Sequence, residues 1–104
     1  MIIFENYKHN GVCNGFQCSG HAGFADFGQD VVCASVTSAV QMTVNGITEI
    51  VKQNAKVTVF ENSISCVVTN PKKEVVVLLE ALFLHIQLLL EDYPKNIEII
   101  NLEV

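Results

Sequence analysis

The sequence predicts a single α+β domain over residues 1–104, in the order ββαββαβ, with a mainly antiparallel sheet and two helices. Three observations carry that reading. Two pairs of alternating segments are joined by tight-turn residues. Two long runs repeat apolar side chains at helical spacing. A final alternating segment follows Tyr93-Pro94. Length agrees with them: 104 residues, half of them hydrophobic, fit one compact domain with a real core.

The first pair is "IIFENYK" and "VCNGFQC", flanking His9-Asn10-Gly11. Asn-Gly between apolar-rich runs is a strong hairpin signal, because both turn positions need positive φ. Strands are expected near 2–8 and 12–18. Next, Cys33, Val36, Val40, Val44 and Ile47 recur at steps of three and four, which sets a helix at about 31–52, weakened by Gly46 and by its β-branched residues. Asp30 stands before it as a natural N-cap. "KVTVFE" and "ISCVVT" alternate around Glu61-Asn62-Ser63 and form a second hairpin. Asn70-Pro71 opens a second helix at about 72–92, which Tyr93-Pro94 ends. Apolar residues lie on nearly every face of that helix, so burial on both sides is expected, between layers or in a subunit interface. The closing "NIEIINLEV" alternates in two phases, which a bulge or a strand covered on both faces would produce.

Composition narrows the function classes. A formal net charge of −5 with six Lys and Arg, and no basic run, argues against phosphate-backbone binding, so no nucleic-acid partner is expected. The start "MIIFENYKHN" lacks a basic head followed by a long apolar core and does not read as a signal peptide. The most apolar run, residues 75–90, is interrupted by Glu80, His85 and Gln87, and it is shorter than the roughly 20 residues of a membrane span. A cytoplasmic protein without a membrane partner is expected, and its four cysteines are then reduced thiols.

The chemistry concentrates in "GHAGFADFGQDVVCASV", residues 20–36. With Asp30 as N-cap, Cys33 takes the third helical position. There the unsatisfied N–H groups and the helix dipole favour a thiolate, the form that attacks carbonyl carbon. His21 lies twelve positions upstream, on a segment whose Gly20, Gly23 and Gly28 reach conformations closed to other residues. A Cys–His pair at such a helix start can hold thiolate and imidazolium, with backbone N–H groups of the same helix receiving an oxyanion. The loop is therefore expected to close over a bound peptide and bring His21 to Cys33.

The stretch "SGHAGFADFGQDVVCASVT" resembles the signature of the Prp family, small bacterial cysteine proteases that process a ribosomal protein. Matching residues are Gly20-His21-Ala22, Gly28, and Asp30-Val31-Val32-Cys33-Ala34. The resemblance extends through the Asn-Gly hairpin and the helix order to the Tyr93-Pro94 ending. It implies Cys33 as nucleophile and His21 as general base and acid, with Asp30 and Thr37 in support. Thr37 stands where the family often has serine. The loop of Gly20, Ala22, Gly23, Phe24, Phe27 and Gly28 is expected to face the substrate, with Phe24 and Phe27 either touching an apolar peptide or pinning the loop to the body. The implied substrate is the N-terminal extension of large-subunit ribosomal protein twenty-seven, cut after an aromatic pair. A homodimer without cofactor or metal completes the expectation.

Plainer readings stand beside it. Asp26 is a solvated residue, and Thr37 packs with its hydroxyl returned to the helix backbone. His9 belongs to a turn, and His85 has no evident partner. A zinc module built from Cys13, Cys18, His21 and Cys33 is the rival of another class. Its spacing argues against it, since five positions of a regular strand turn Cys13 and Cys18 to opposite faces. A non-catalytic ribosome-associated adaptor on the same fold is the third.

Overall fold

Asn10 and Gly11 take φ of 52° and 80°, so the first hairpin closes through two left-handed residues whose twist matches the flanking strands. The computed structural model describes residues 1–20 and 27–104, with residues 27–30 as backbone only. Strand β1 (Ile2–His9) and strand β2 (Val12–Ser19) form that hairpin. Helix α1 (Phe27–Asn45) runs into a π-helical segment, Gly46–Val51, which ends at Lys52 with φ 62°. Strands β3 (Lys56–Phe60) and β4 (Ser63–Val67), helix α2 (Lys73–Asp92) and strand β5 (Ile97–Glu103) complete the predicted order ββαββαβ.

The five strands make one sheet in the order β3-β4-β2-β1-β5. The three hairpin-type pairings are antiparallel, and β5 joins β1 in parallel, so the sheet is mixed but mainly antiparallel. Pleat alternation sends Ile2, Phe4, Phe16, Cys18, Cys66 and Ile97 to one face, where all are buried. The helices bury Val32, Val36, Val40 and Ile47 from one side, and Val75, Leu79, Leu82 and Ile86 from the other, into the same core. The run Val31–Val51 has the length and mean hydropathy of a membrane span, yet these buried residues commit it to the domain.

One side chain ties the end of the π-helical segment to the start of α2. Gln53 accepts from the Lys72 N–H (2.8 Å) and donates to the Asn70 carbonyl (3.0 Å), so it orders the helix start that no side-chain cap serves. At the opposite edge, His9 bonds the Val104 carbonyl and Asn10 N–H reaches Glu103 at 2.7 Å. His9 thus closes the end of β5 as well as serving the turn.

Four expectations are corrected. Helix α1 starts at Phe27, ahead of Asp30, because apolar periodicity marks where a helix becomes buried and not where its hydrogen bonding begins. Helix α2 buries one stripe only: Val77, Leu84 and Leu88 are at least half exposed within one chain. Strand β5 pairs with β1 in unbroken register from Ile97 to Glu103, without a bulge; Ile97 is buried, Ile99 and Ile100 on opposite faces are half-buried, and Leu102 is exposed. The register shift instead falls between Tyr7 and Lys8, where β2 bulges. That extra residue turns Cys13 and Cys18 to the same buried face, so the parity argument against a shared metal does not hold.

Candidate active site

The site grows from the end of β2. Gly20 follows that strand with φ 84°, and its N–H donates to the Asn62 carbonyl in the β3–β4 turn (3.0 Å). A Cβ at this position would overlap the Met1 carbonyl oxygen. Gly20 is therefore fixed by two conditions, a left-handed backbone and the close approach of β1. Neither Met1 nor Asn62 carried a sequence signal for this role. Gly20→Ala is expected to lower stability by about 1–3 kcal/mol, read from the urea midpoint, and to reduce activity with it.

Residues His21, Ala22, Gly23, Phe24 and Asp26 lie outside the described residues, as do the side chains of Phe27, Gly28 and Asp30. The backbone of Asp30 is nevertheless helical, which removes its N-cap role: a cap residue has non-helical φ and ψ, and here the helix begins three residues earlier. Cys33 is consequently the seventh residue of α1, in its second turn. The unpaired N–H groups belong to the first turn, about 4.5–9 Å before Cys33 at 1.5 Å per residue, and the dipole's influence fades within that turn. Neither the helix start nor its N–H groups act on Cys33 as the sequence reading expected.

Cys33 is the most accessible of four thiols, at 9 % exposure against 2 %, 2 % and 0 % for Cys13, Cys18 and Cys66. None is in a disulfide. Burial pushes the Cys18 thiol up to about 12, helped by the neighbouring charge of Cys33, and burial pushes Cys66 up to about 11. Cys13 is raised by burial too, against a weak contact from Asn6 at 4.0 Å. These three stay protonated near neutral pH, leaving Cys33 as the thiol suited to attack.

Cys33 and Cys18 belong to one buried cluster, and the charge of Cys33 acts on Cys18, which lies on the strand that leads into Gly20. Thr37 follows one turn later on the same side of the helix and is exposed, so it does not pack into the core. Its neighbour Ser35 makes the hydroxyl-to-backbone bond, donating to the Val31 carbonyl at 3.0 Å. His85, on α2, is exposed and faces Ser35 and Met42 across a shallow groove between the helices.

Among the described residues no cluster of three His, Cys, Asp or Glu could hold a metal ion. For the zinc alternative, strand rise is decisive where parity is not. Cys13 and Cys18 are separated by roughly 13–16 Å along β2, at about 3.3 Å per residue, too far to bind one tetrahedral ion.

The family model described as cysteine protease Prp matches residues 1–98. The chain belongs to the Prp family. A Bacillus subtilis (strain 168) ribosomal processing cysteine protease Prp is 53% identical over 32 residues, a stretch spanning 31% of this chain and 29% of that protein. Two solved structures share the Prp fold. SMU.848 from Streptococcus mutans superposes with a TM-score of 0.90 at 22% identity, covering 100% of this chain and 96% of that one. An essential ribosomal processing protease Prp from S. aureus, in complex with a substrate peptide, gives a TM-score of 0.90 at 19% identity, covering 98% and 100%. The S. aureus protein has also been solved with a covalently linked product peptide, at a TM-score of 0.87, 20% identity and the same coverage. At these identities the structures establish the five-stranded fold with two helices, while membership rests on the family match.

Proposed function

We propose that this chain is a cysteine endopeptidase that removes a short N-terminal extension from a ribosomal protein precursor. The observation that carries the reading is the match of the family model to residues 1–98, with Cys33 the most accessible of the four thiols. His21 follows Cys18 by three residues, so the chain cannot take its Cα more than about 11 Å from that of Cys18. Membership in the Prp family and the peptide complexes of the S. aureus protein support the same reaction.

In the proposed mechanism the Cys33 thiolate attacks the scissile carbonyl carbon, and the C=O electron pair moves onto oxygen. Collapse of that intermediate breaks the C–N bond, and the His21 imidazolium gives its proton to the departing amine, leaving a thioester on Cys33. Water then attacks the thioester while neutral His21 takes its proton, which frees the acid product and restores the thiolate. No cofactor enters the scheme. The substrate is the N-terminal extension of large-subunit ribosomal protein twenty-seven, and the location is cytoplasmic. The test is incubation with a peptide spanning the precursor junction. Two product peptides of complementary mass are expected, and an intact peptide after prolonged incubation overturns the reading.

The protein acts as a homodimer. Val77, Leu84 and Leu88 on the outer face of α2 support this, because one chain leaves them uncovered. Leu84→Glu is expected to halve the mass measured by sedimentation while leaving the secondary structure intact. A monomeric wild type overturns the dimer.

A further inference from the structure

All six cationic residues of this chain are lysines, and three of them, Lys52, Lys56 and Lys72, line one open cleft of about 570 Å³. No described carboxylate lines that cleft, although acidic residues outnumber lysines eleven to six. Among the described residues, no ion pair or hydrogen bond engages any of the three ammonium groups. The backbone beneath each lysine is fixed. Lys52 ends the π-helical segment with φ 62° and donates its N–H to the Ile47 carbonyl. Lys56 pairs with Val67 across β3 and β4. Lys72 donates its N–H at 2.8 Å to the side chain of Gln53, the residue after Lys52. Charges from three elements thus meet at one preformed hollow.

Separate structural roles account for two of these lysines and not for the third. Lys52 complements the negative end of the helix it follows, and Lys56 discourages strand addition at the sheet edge. Lys72, followed by Lys73, stands at the positive end of α2, where the macrodipole disfavours cations and Glu74 is the acidic residue of the first turn. An anion in the cleft removes that conflict and screens the lysines from one another.

Charge and extent select the anion. Ammonium groups offer donors and no acceptor, so they favour several negative oxygens in a small volume. A nucleic-acid strand would need the positive row to continue. Here Glu49 borders Lys52 in the adjoining hollow, Glu74 follows Lys73, and the whole chain carries −5. The cleft also stands apart from the Cys–His segment. Val67 lies about 13 Å along β4 from Ser63, which pairs with Ser19 just before Gly20.

We infer that Lys52, Lys56 and Lys72 form a binding site for a compact polyanion, a pyrophosphate group either free or carried by a nucleoside polyphosphate. The inference does not depend on the proteolytic reading.

Isothermal titration of the full chain with inorganic pyrophosphate at low salt tests it, with thermal unfolding as a second readout. One pyrophosphate per chain is expected to bind and to raise Tm. Lys52→Gln, Lys56→Gln and Lys72→Gln should each weaken binding about fivefold, and Lys8→Gln and Lys95→Gln by less than about twofold. The triple variant of the cleft should abolish binding. Its three lysines are exposed, so their replacement leaves the fold intact. ATP and a single-stranded RNA without terminal phosphates form the other arms. Tighter binding of ATP makes a nucleoside polyphosphate the source, and equal or weaker binding makes it free pyrophosphate; both sustain the site. Absence of saturable binding and of any rise in Tm at millimolar pyrophosphate overturns it. So does an equal loss in the Lys8 and Lys95 variants, or RNA binding tighter than that of pyrophosphate.

Discussion

Cys33→Ala is expected to eliminate cleavage of the junction peptide, lowering kcat/KM by at least about 10⁴-fold, because no other described thiol can replace it. Cys18, Cys66 and Cys13 are held protonated by burial and lie under the helices. His21→Ala should retain the thiol but lose proton transfer to the leaving amine, a deficit of about 10²–10⁴-fold. Chromatography of the products reads both effects, with circular dichroism to establish folding. A companion measurement uses iodoacetamide at pH 7 followed by peptide mapping, in which Cys33 is expected to be modified first. Undiminished cleavage by Cys33→Ala would falsify the mechanism.

Phe16→Ala is the substitution expected to weaken the fold most. Phe16 is 1% exposed and stacks on Phe4 with ring centroids 5.6 Å apart and planes 11° from parallel. It lies opposite Asn6 on β1 and Cys66 on β4, so its ring joins three central strands. Truncating a buried phenylalanine costs about 3–5 kcal/mol, since neighbours on a paired sheet close the cavity only in part. Against a total stability of about 5–15 kcal/mol, that removes a large share. At roughly 4–8 °C per kcal/mol for a domain of this size, Tm should fall by about 12 °C or more. Urea unfolding gives the same quantity directly, and a loss below about 1 kcal/mol would show that the Phe4–Phe16 stack is dispensable.

Much of the architecture was legible because it rests on local chemistry. Asn10-Gly11 can close a two-residue hairpin with few alternatives, and Glu61-Asn62 joins β3 to β4 across an equally short turn without left-handed residues. Tyr93 ends α2 because the residue before proline is driven out of the helical region. The nucleophile was legible for another reason: Asp30-Val31-Val32-Cys33-Ala34 matches a family signature, and periodicity alone does not separate a reactive cysteine from a packed one.

Other features depend on neighbours distant in sequence. The start of α1 at Phe27 left no trace in the apolar stripe, which was read only from Cys33 onward. The bulge that turns Cys13 inward arises from pairing between β1 and β2, and no residue of β2 announces it. Gly20 could be recognised as a flexible position, but its need for glycine comes from its left-handed backbone and from the Met1 carbonyl, which a Cβ would overlap.

By itself the sequence determined the order of elements, the turns that divide them, and the Cys33 and His21 motif, because turn and helix preferences act over a few residues. Only the tertiary structure decided where Cys33 stands. Strand order carries Ile64 and Val59 outward from Cys18, and the packing leaves one face of α2 uncovered. Those relations are set by which strands pair and in what register, and pairing across tens of residues is governed by burial of the whole core rather than by any short segment.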